Sequence, residues 1–292
     1  VPVVDAAVCK LIRLSGGVKV LCDDLETQTA LRTFLERVNA GRGQHGIEAF
    51  LSQYLDSLLV YGGAVGEMVP AAGNRTLAAL LCGRLEQVEL REGESPLDFR
   101  ICGPDEHGSM AELPYQELLL FTPLHPEAAH PYGVSMLRGI PFMADILMKI
   151  YHTIGVNWER CGNVRFAVTC RDGEGSAAQR GQVLAQEWSR AMQETRSGDV
   201  RDLVAVGDVD IRVIGADAPV LDSQVPVRQV MEQIVAKTGI PPFMLGLNWN
   251  STERMSAQQA DMLTTEITAL RRTLTPVVEK ICRMWLRMQG ST

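Results

Sequence analysis

Few residues of this chain have a type and spacing that could do chemistry, and each has a plainer use. His125 and His130 lie five apart in a proline-rich loop. A zinc pair needs helical i, i+4 spacing or a third nearby ligand, and neither is present, so both read as loop residues facing water. Asp208 and Asp210, and likewise Asp172 and Glu174, could pair around Mg²⁺. Their neighbours are β-formers and glycine, so they read as turns. Gly62-Gly63-Ala64-Val65-Gly66 follows a helical pattern, whereas a phosphate cradle follows a strand. Gly133-Val134-Ser135-Met136-Leu137 lacks the second glycine of a nucleophile elbow, and Ser135 is expected to cap the next helix. The seven cysteines are scattered with no C-x-x-C, which fits reduced, mostly buried thiols. No catalytic, cofactor or metal site is expected.

The informative stretch is Thr238 to Gly246. Pro241 and Pro242 cannot continue a helix, because each lacks an N–H and crowds the preceding turn. They are read as a hinge. Leu247, Asn248, Trp249, Asn250 and Ser251 follow as a polar loop holding one tryptophan. Such a residue is either anchored in a neighbouring core or subunit, or presented to a partner.

Helical patterns flank this break, over 222–237 before it and 251–288 after it, with Ser251 or Thr252 as N-cap and a kink expected at Pro276. Upstream, helices are expected over 3–14, 29–39 and 46–61, and a short strand over 18–22. Short alternating runs over 64–70, 77–82, 87–91, 99–102 and 117–122 predict an antiparallel β region. A long apolar helix is expected over 134–160, with Pro141 as a kink or second start. A small α/β insert follows: a strand at 164–170, a helix at 176–195, and a hairpin joining 203–206 to 211–214 across Gly207-Asp208.

Of the 292 residues, 28 are Lys or Arg and 35 are Asp or Glu. Residues 1–134 hold ten basic against eighteen acidic side chains, so the acidity belongs to the first half. A protein that grips nucleic acid tightly should be basic. No apolar run reaches the roughly 20 residues of a membrane span, and no membrane role is expected. The chain opens on Val1, as if in the middle of a helix, which raises the expectation of a trimmed start.

Taken in order, these pieces resemble the portal proteins of long-tailed bacteriophages, phage- or prophage-encoded. The resemblance rests on the opening helix and strand through Val20, Leu59 to Ala64, the β-rich segment closing before Tyr132 to Leu137, and Cys161-Gly162-Asn163 at a helix end. It rests most of all on Gly239 to Gly246, followed by Ser251-Thr252 and a helix through Leu274-Thr275-Pro276. Order and spacing together carry it across nearly the whole chain.

The resemblance implies an α+β, portal-type fold: a wing over 1–134, stem helices over 135–162 and 221–238, a small α/β clip over 163–220, the proline kink and tunnel loop over 239–253, and a long kinked helix over 254–292 leading toward an absent or truncated crown. It also implies a non-enzymatic ring of about twelve subunits at one capsid vertex. Double-stranded DNA would pass its channel during packaging and ejection, without sequence recognition. Leu247 to Ser251 would form the DNA-facing tunnel loop. The implied partners are further copies of the chain, the large terminase subunit, a major capsid or scaffold protein, and head–tail connector proteins. The implied location is the virion, and the host cytoplasm during assembly. Two rival readings remain open: another oligomeric head–tail adaptor, and a DNA-processing enzyme with a site assembled from distant residues.

Overall fold

The structure is a computed structural model. It describes residues 1–95, 98–128, 130–162, 165–170, 209–214, 222–247 and 253–290, together with 182, 185, 186 and 189. Two compact units emerge, residues 1–146 with 228–292, and residues 147–227.

The larger unit begins with three helices, α1 (Pro2–Ser15), α2 (Leu25–Arg37) and α3 (Ile47–Tyr61). The α2 helix starts earlier than its apolar spacing predicts, because the Asp24 carboxylate caps it by accepting from the Thr27 N–H. Hydrogen bonding from Thr27, by its side chain first and its backbone second, holds the Asp24 carboxyl below its ordinary value. The α3 helix is the centre of the core: Phe50, Tyr54, Leu55 and Leu58 are at most 1% exposed. Six strands follow: β1 (Gly63–Pro70), β2 (Leu77–Gly83), β3 (Glu89–Glu92), β4 (Phe99–Pro104), β5 (Met110–Glu112) and β6 (Leu119–Pro123). They form two antiparallel sheets, ordered β2-β1-β6 and β3-β4-β5.

The expected strand over 18–22 is absent. Its side chains do alternate, with Val18, Val20 and Cys22 half-buried and Lys19 and Leu21 exposed. No strand lies alongside, however. The Glu48 carboxylate accepts from the Gly17 and Val18 N–H groups, and Gln28 accepts from Cys22. The pattern encoded an extended strap rather than a sheet member. Conversely, β5 gave no signal in the sequence, since three residues are too few for a period.

Tyr54 ties the first sheet to α3. Its hydroxyl bonds the Ala64 carbonyl at 3.0 Å and Thr122 Oγ1 at 2.9 Å, inside the core. Burial pushes this phenol well above its ordinary value. Tyr54→Phe would strand both partners without water, so a loss of about 1–3 kcal/mol in urea unfolding is expected. A change of a few tenths would show that the hydroxyl is dispensable.

The long helix α4 (Ile140–Gly162) starts six residues later than expected. Gly133 (φ 101°) and Gly139 (φ 89°) hold left-handed conformations that a helix cannot include. Residues 134–139 are instead latched to the end of α3. Leu124 N–H donates to Gly62 O, Val134 N–H to Leu124 O and Met136 N–H to Leu59 O. Ser135, expected as a cap, donates its hydroxyl to Val60 O and accepts from Leu137 N–H.

In the smaller unit, β7 (Arg165–Cys170) pairs antiparallel with β8 (Val209–Ile214). The 211–214 run therefore pairs with 165–170, and Asp210 lies inside β8 opposite Thr169 rather than in a turn. Residues 203–206, Asp208, Asp172 and Glu174 lie outside the described residues. The chain returns through α5 (Gln224–Thr238), whose last residues belong to the larger unit, and ends in α6 (Glu253–Met288).

Candidate channel loop and its frame

The proline pair sits at a fixed elbow. At the end of α5, Gly239 takes φ 68°, its N–H donates to Val235 O at 3.0 Å, and Thr238 Oγ1 donates to the same carbonyl. Ile240 is 1% exposed, and Pro241 is buried beside it. Pro242 opens a single tight turn, Pro242–Leu245. Proline suits this first position because its missing N–H had no helical partner to lose. Met244 N–H donates to Pro241 O, Gly246 N–H to Phe243 O, and Leu247 N–H to Pro242 O. Gly246, at φ 77°, closes the turn. The turn packs against α1, with Met244 and Leu245 lying on the core. Of the five loop residues, Leu247 is placed, half-buried, at the exit of this turn. Asn248, Trp249, Asn250 and Ser251 lie outside the described residues.

On the far side of the loop, α6 is riveted to the larger unit. Leu263, Ile267, Leu274, Val277, Ile281 and Trp285 are buried along one face. The Trp285 ring stacks on Phe34 with centroids 5.4 Å apart. Arg271 donates to the carbonyls of Leu14, Ser15 and Gly16, satisfying the open end of α1. Lys280 donates to Leu119 O at 2.6 Å, and burial lowers its pKa. Pro276 lies within a helix assigned without interruption. The loop thus follows an elbow fixed by core packing and backbone hydrogen bonds, and precedes a helix whose core packing begins at Leu263.

The residues screened for chemistry have structural uses. Gly62 is the left-handed residue after α3, with φ 86°. A Cβ on Gly66 would meet the Phe50 ring at 3.1 Å, so that glycine admits the core. His125 and His130 are exposed, and the Glu127 and His130 backbones bond each other across a turn. Among the described residues, no group of three or more His, Cys, Asp or Glu is placed to hold a metal. Burial pushes the Cys82 thiol up to about 12 and the Cys282 thiol up to about 11, so neither is a nucleophile at neutral pH. A cleft of about 1020 Å³ is an open groove along α3 that includes His45, Asp56, Arg84 and Glu86. Among the described residues, no helix is long and apolar enough to cross a membrane.

Periodicity alone did not separate the two apolar faces of α4. Met148, Tyr151 and Trp158 are 56%, 45% and 66% exposed, and with Gly155 they make a stripe at spacings of three, four and three. Leu147, by contrast, is fully buried. An apolar run this long satisfies two faces at once, and only the structure shows which one is left open.

No family model matches the chain, and no curated protein matches it in sequence. Solved structures do match. A chain in the neck of an empty gene transfer agent particle, computed with C6 symmetry, superposes with TM-score 0.73 at 17% identity, covering 99% of this chain and 79% of that one. A chain in the virion of the native gene transfer agent particle gives TM-score 0.68 at 17% identity, covering 100% and 79%. An HK97 family phage portal protein from Corynebacterium diphtheriae gives TM-score 0.50 at 10% identity, covering 90% and 82%. At such identities the likeness is one of fold, and it spans nearly the whole chain: helices and small antiparallel sheets in the α+β arrangement of a phage portal protein.

Proposed function

We propose that the chain is a phage or prophage portal protein: a ring-forming, non-enzymatic component of a virion, through which double-stranded DNA passes during packaging and ejection. The observation that carries this reading is the whole-chain likeness to chains in the necks of gene transfer agent particles, among them the neck of the native particle, computed with C12 symmetry, at TM-score 0.68. That symmetry supports a ring of about twelve copies.

In this reading residues 1–134 are the wing, 135–162 and 221–238 the stem helices, 163–220 the clip, and 254–292 the long helix. The clip would dock the large terminase subunit during filling and head–tail connector proteins afterwards. The wing would meet the major capsid or scaffold protein. Pro241 and Pro242 set the direction of the elbow, and Leu247, Asn248, Trp249, Asn250 and Ser251 form the channel-facing loop. The net charge of −7 fits a conduit, since a channel that gripped phosphates would hold DNA rather than let it slide. The open apolar stripe on α4 fits a helix that completes its packing against another copy.

Deletion of Asn248–Asn250 tests the loop. The elbow and α6 are held independently of it, so rings should assemble normally while DNA packaging or retention falls. Packaging at the wild-type level would remove the loop from the mechanism. ATP hydrolysis by the purified chain would contradict the non-enzymatic reading.

A further inference from the structure

The sheet ordered β2-β1-β6 has two edge strands, and they are finished differently. At β2 the Leu80 N–H donates to Asn39 O, so neighbouring backbone covers that edge. At β6 the cover is one side chain: Lys280 Nζ donates to Leu119 O at 2.6 Å. Backbone groups along a strand alternate between the paired neighbour and the open side. Leu124 N–H reaches Gly62 O on the β1 side while Leu119 O faces out, so the backbone of Phe121 faces out as well. Among the described residues neither its N–H nor its carbonyl has a hydrogen-bond partner. Bare edge groups of this kind are a template for another strand.

The edge opens onto a cleft of about 570 Å³ that runs along all of β6, Leu119 to Pro123. An added strand lies about 4.8 Å from its neighbour, which places it in this cleft. Phe99, Phe121, Pro276 and Val277 give the cleft apolar walls, and the Phe99 and Phe121 rings meet edge-on with centroids 5.4 Å apart. Its two cations are used unequally. Arg100 is shared between Asp98 at 3.9 Å and Glu112 at 3.6 Å. Lys280 spends one of its ammonium hydrogens on Leu119 O and, among the described residues, has no carboxylate within 4.0 Å. Burial lowers its pKa, and Glu117 offsets this only from beyond ion-pair distance. A carboxylate brought into contact would restore what burial takes from the charged form.

We propose that the outer edge of β6 docks an extended segment of a separate protein, antiparallel to β6, with an apolar residue opposite Phe121 and an acidic one two places later. Antiparallel pairing continues the pattern of the sheet and is the stabler kind. It carries the later residues of the incoming strand toward Leu119, where the Lys280 ammonium stands. The residue opposite Phe121 shares a face with the Phe99 and Phe121 rings, which calls for an apolar side chain. A lysine at an edge ordinarily discourages strand addition. Here it blocks Leu119, leaves Phe121 bare, and so admits strands that bring a carboxylate. A second copy has little to offer from the same unit. The β2 edge is taken by Asn39, the outward Leu90 carbonyl of β3 by the Tyr132 hydroxyl, and β5 has three residues.

The test uses the full-length protein and a library of short displayed peptides of random sequence. Enriched peptides should carry an apolar residue two places before Asp or Glu. The strongest is synthesised and its affinity read by fluorescence anisotropy. Replacing its acid by the amide should weaken binding about tenfold. Lys280→Met should weaken the acidic peptide equally and bind acid and amide alike. N-methylation at the residue opposite Phe121 should abolish binding, while N-methylation one residue later, where the N–H faces away from β6, should change it less than twofold. If Lys280→Met loses its circular dichroism signal, the amide and N-methyl comparisons on the unaltered protein decide. No enrichment, or binding indifferent to the acid or to the position of the N-methyl group, would overturn the proposal. So would a peptide that dissolves the protein's own oligomers in sedimentation, which would make the occupant a second copy. None of these readouts needs DNA or the portal reading, so the docking edge stands or falls separately from it.

Discussion

Gly133→Ala is expected to cost at least about 3 kcal/mol, the largest single-residue stability loss predicted for the chain. Gly133 has φ 101°, a conformation that a Cβ resists. A Cβ placed there would stand 1.9 Å from Gly62 O and 2.7 Å from Leu124 N, both backbone atoms that cannot rotate away. Those two groups bond each other in the latch between α3 and the root of α4. The left-handed strain contributes about 1–3 kcal/mol and the overpacking a similar amount. Gly17→Ala supplies the comparison, because φ is 98° there and nothing lies within 4 Å of the added carbon. Its cost should stay near 1 kcal/mol, the conformational part alone. Urea unfolding of the two variants separates clash from strain, and equal losses would mean that the latch yields.

Trp158→Asp should abolish ring assembly while leaving the fold intact. The side chain is 66% exposed, so its loss from a lone subunit should change stability by no more than about 0.5 kcal/mol. If the Met148–Tyr151–Gly155–Trp158 stripe is buried between copies, a carboxylate there is desolvated at every interface of the ring. One large aromatic at an interface centre is commonly worth about 2 kcal/mol or more. Repeated at each of about twelve contacts, that loss moves assembly beyond reach at micromolar protein. Sedimentation would show a monomer with wild-type circular dichroism. Rings of undiminished stability would place the stripe outside the interface.

Much of the architecture was legible because helix and strand periods differ. The amphipathic run at 46–61, the short apolar run at 64–70 and the break at Pro241-Pro242 each carry a local signal that the fold follows. The portal-like order of these pieces was legible for the same reason. What escaped depends on distant partners. The strap at 18–22 has the alternation of a strand, and only the reach of Glu48 and Gln28 decides that it pairs with side chains instead. Ser135 sits where a helix cap belongs, yet bonds Val60, 75 positions earlier. Arg271 reads as one charge on a solvated helix face, while its guanidinium closes the end of α1, more than 250 positions away. The candidate loop was legible as a position, through its prolines and Trp249, and the frame that holds it was not.

Negative-stain microscopy of the purified, full-length protein tests the central claim most directly. The portal reading predicts closed rings of about twelve subunits, with a central hole wide enough for duplex DNA, about 20 Å or more. A closed two-fold dimer, or a monomer that persists at tens of micromolar protein, would contradict it.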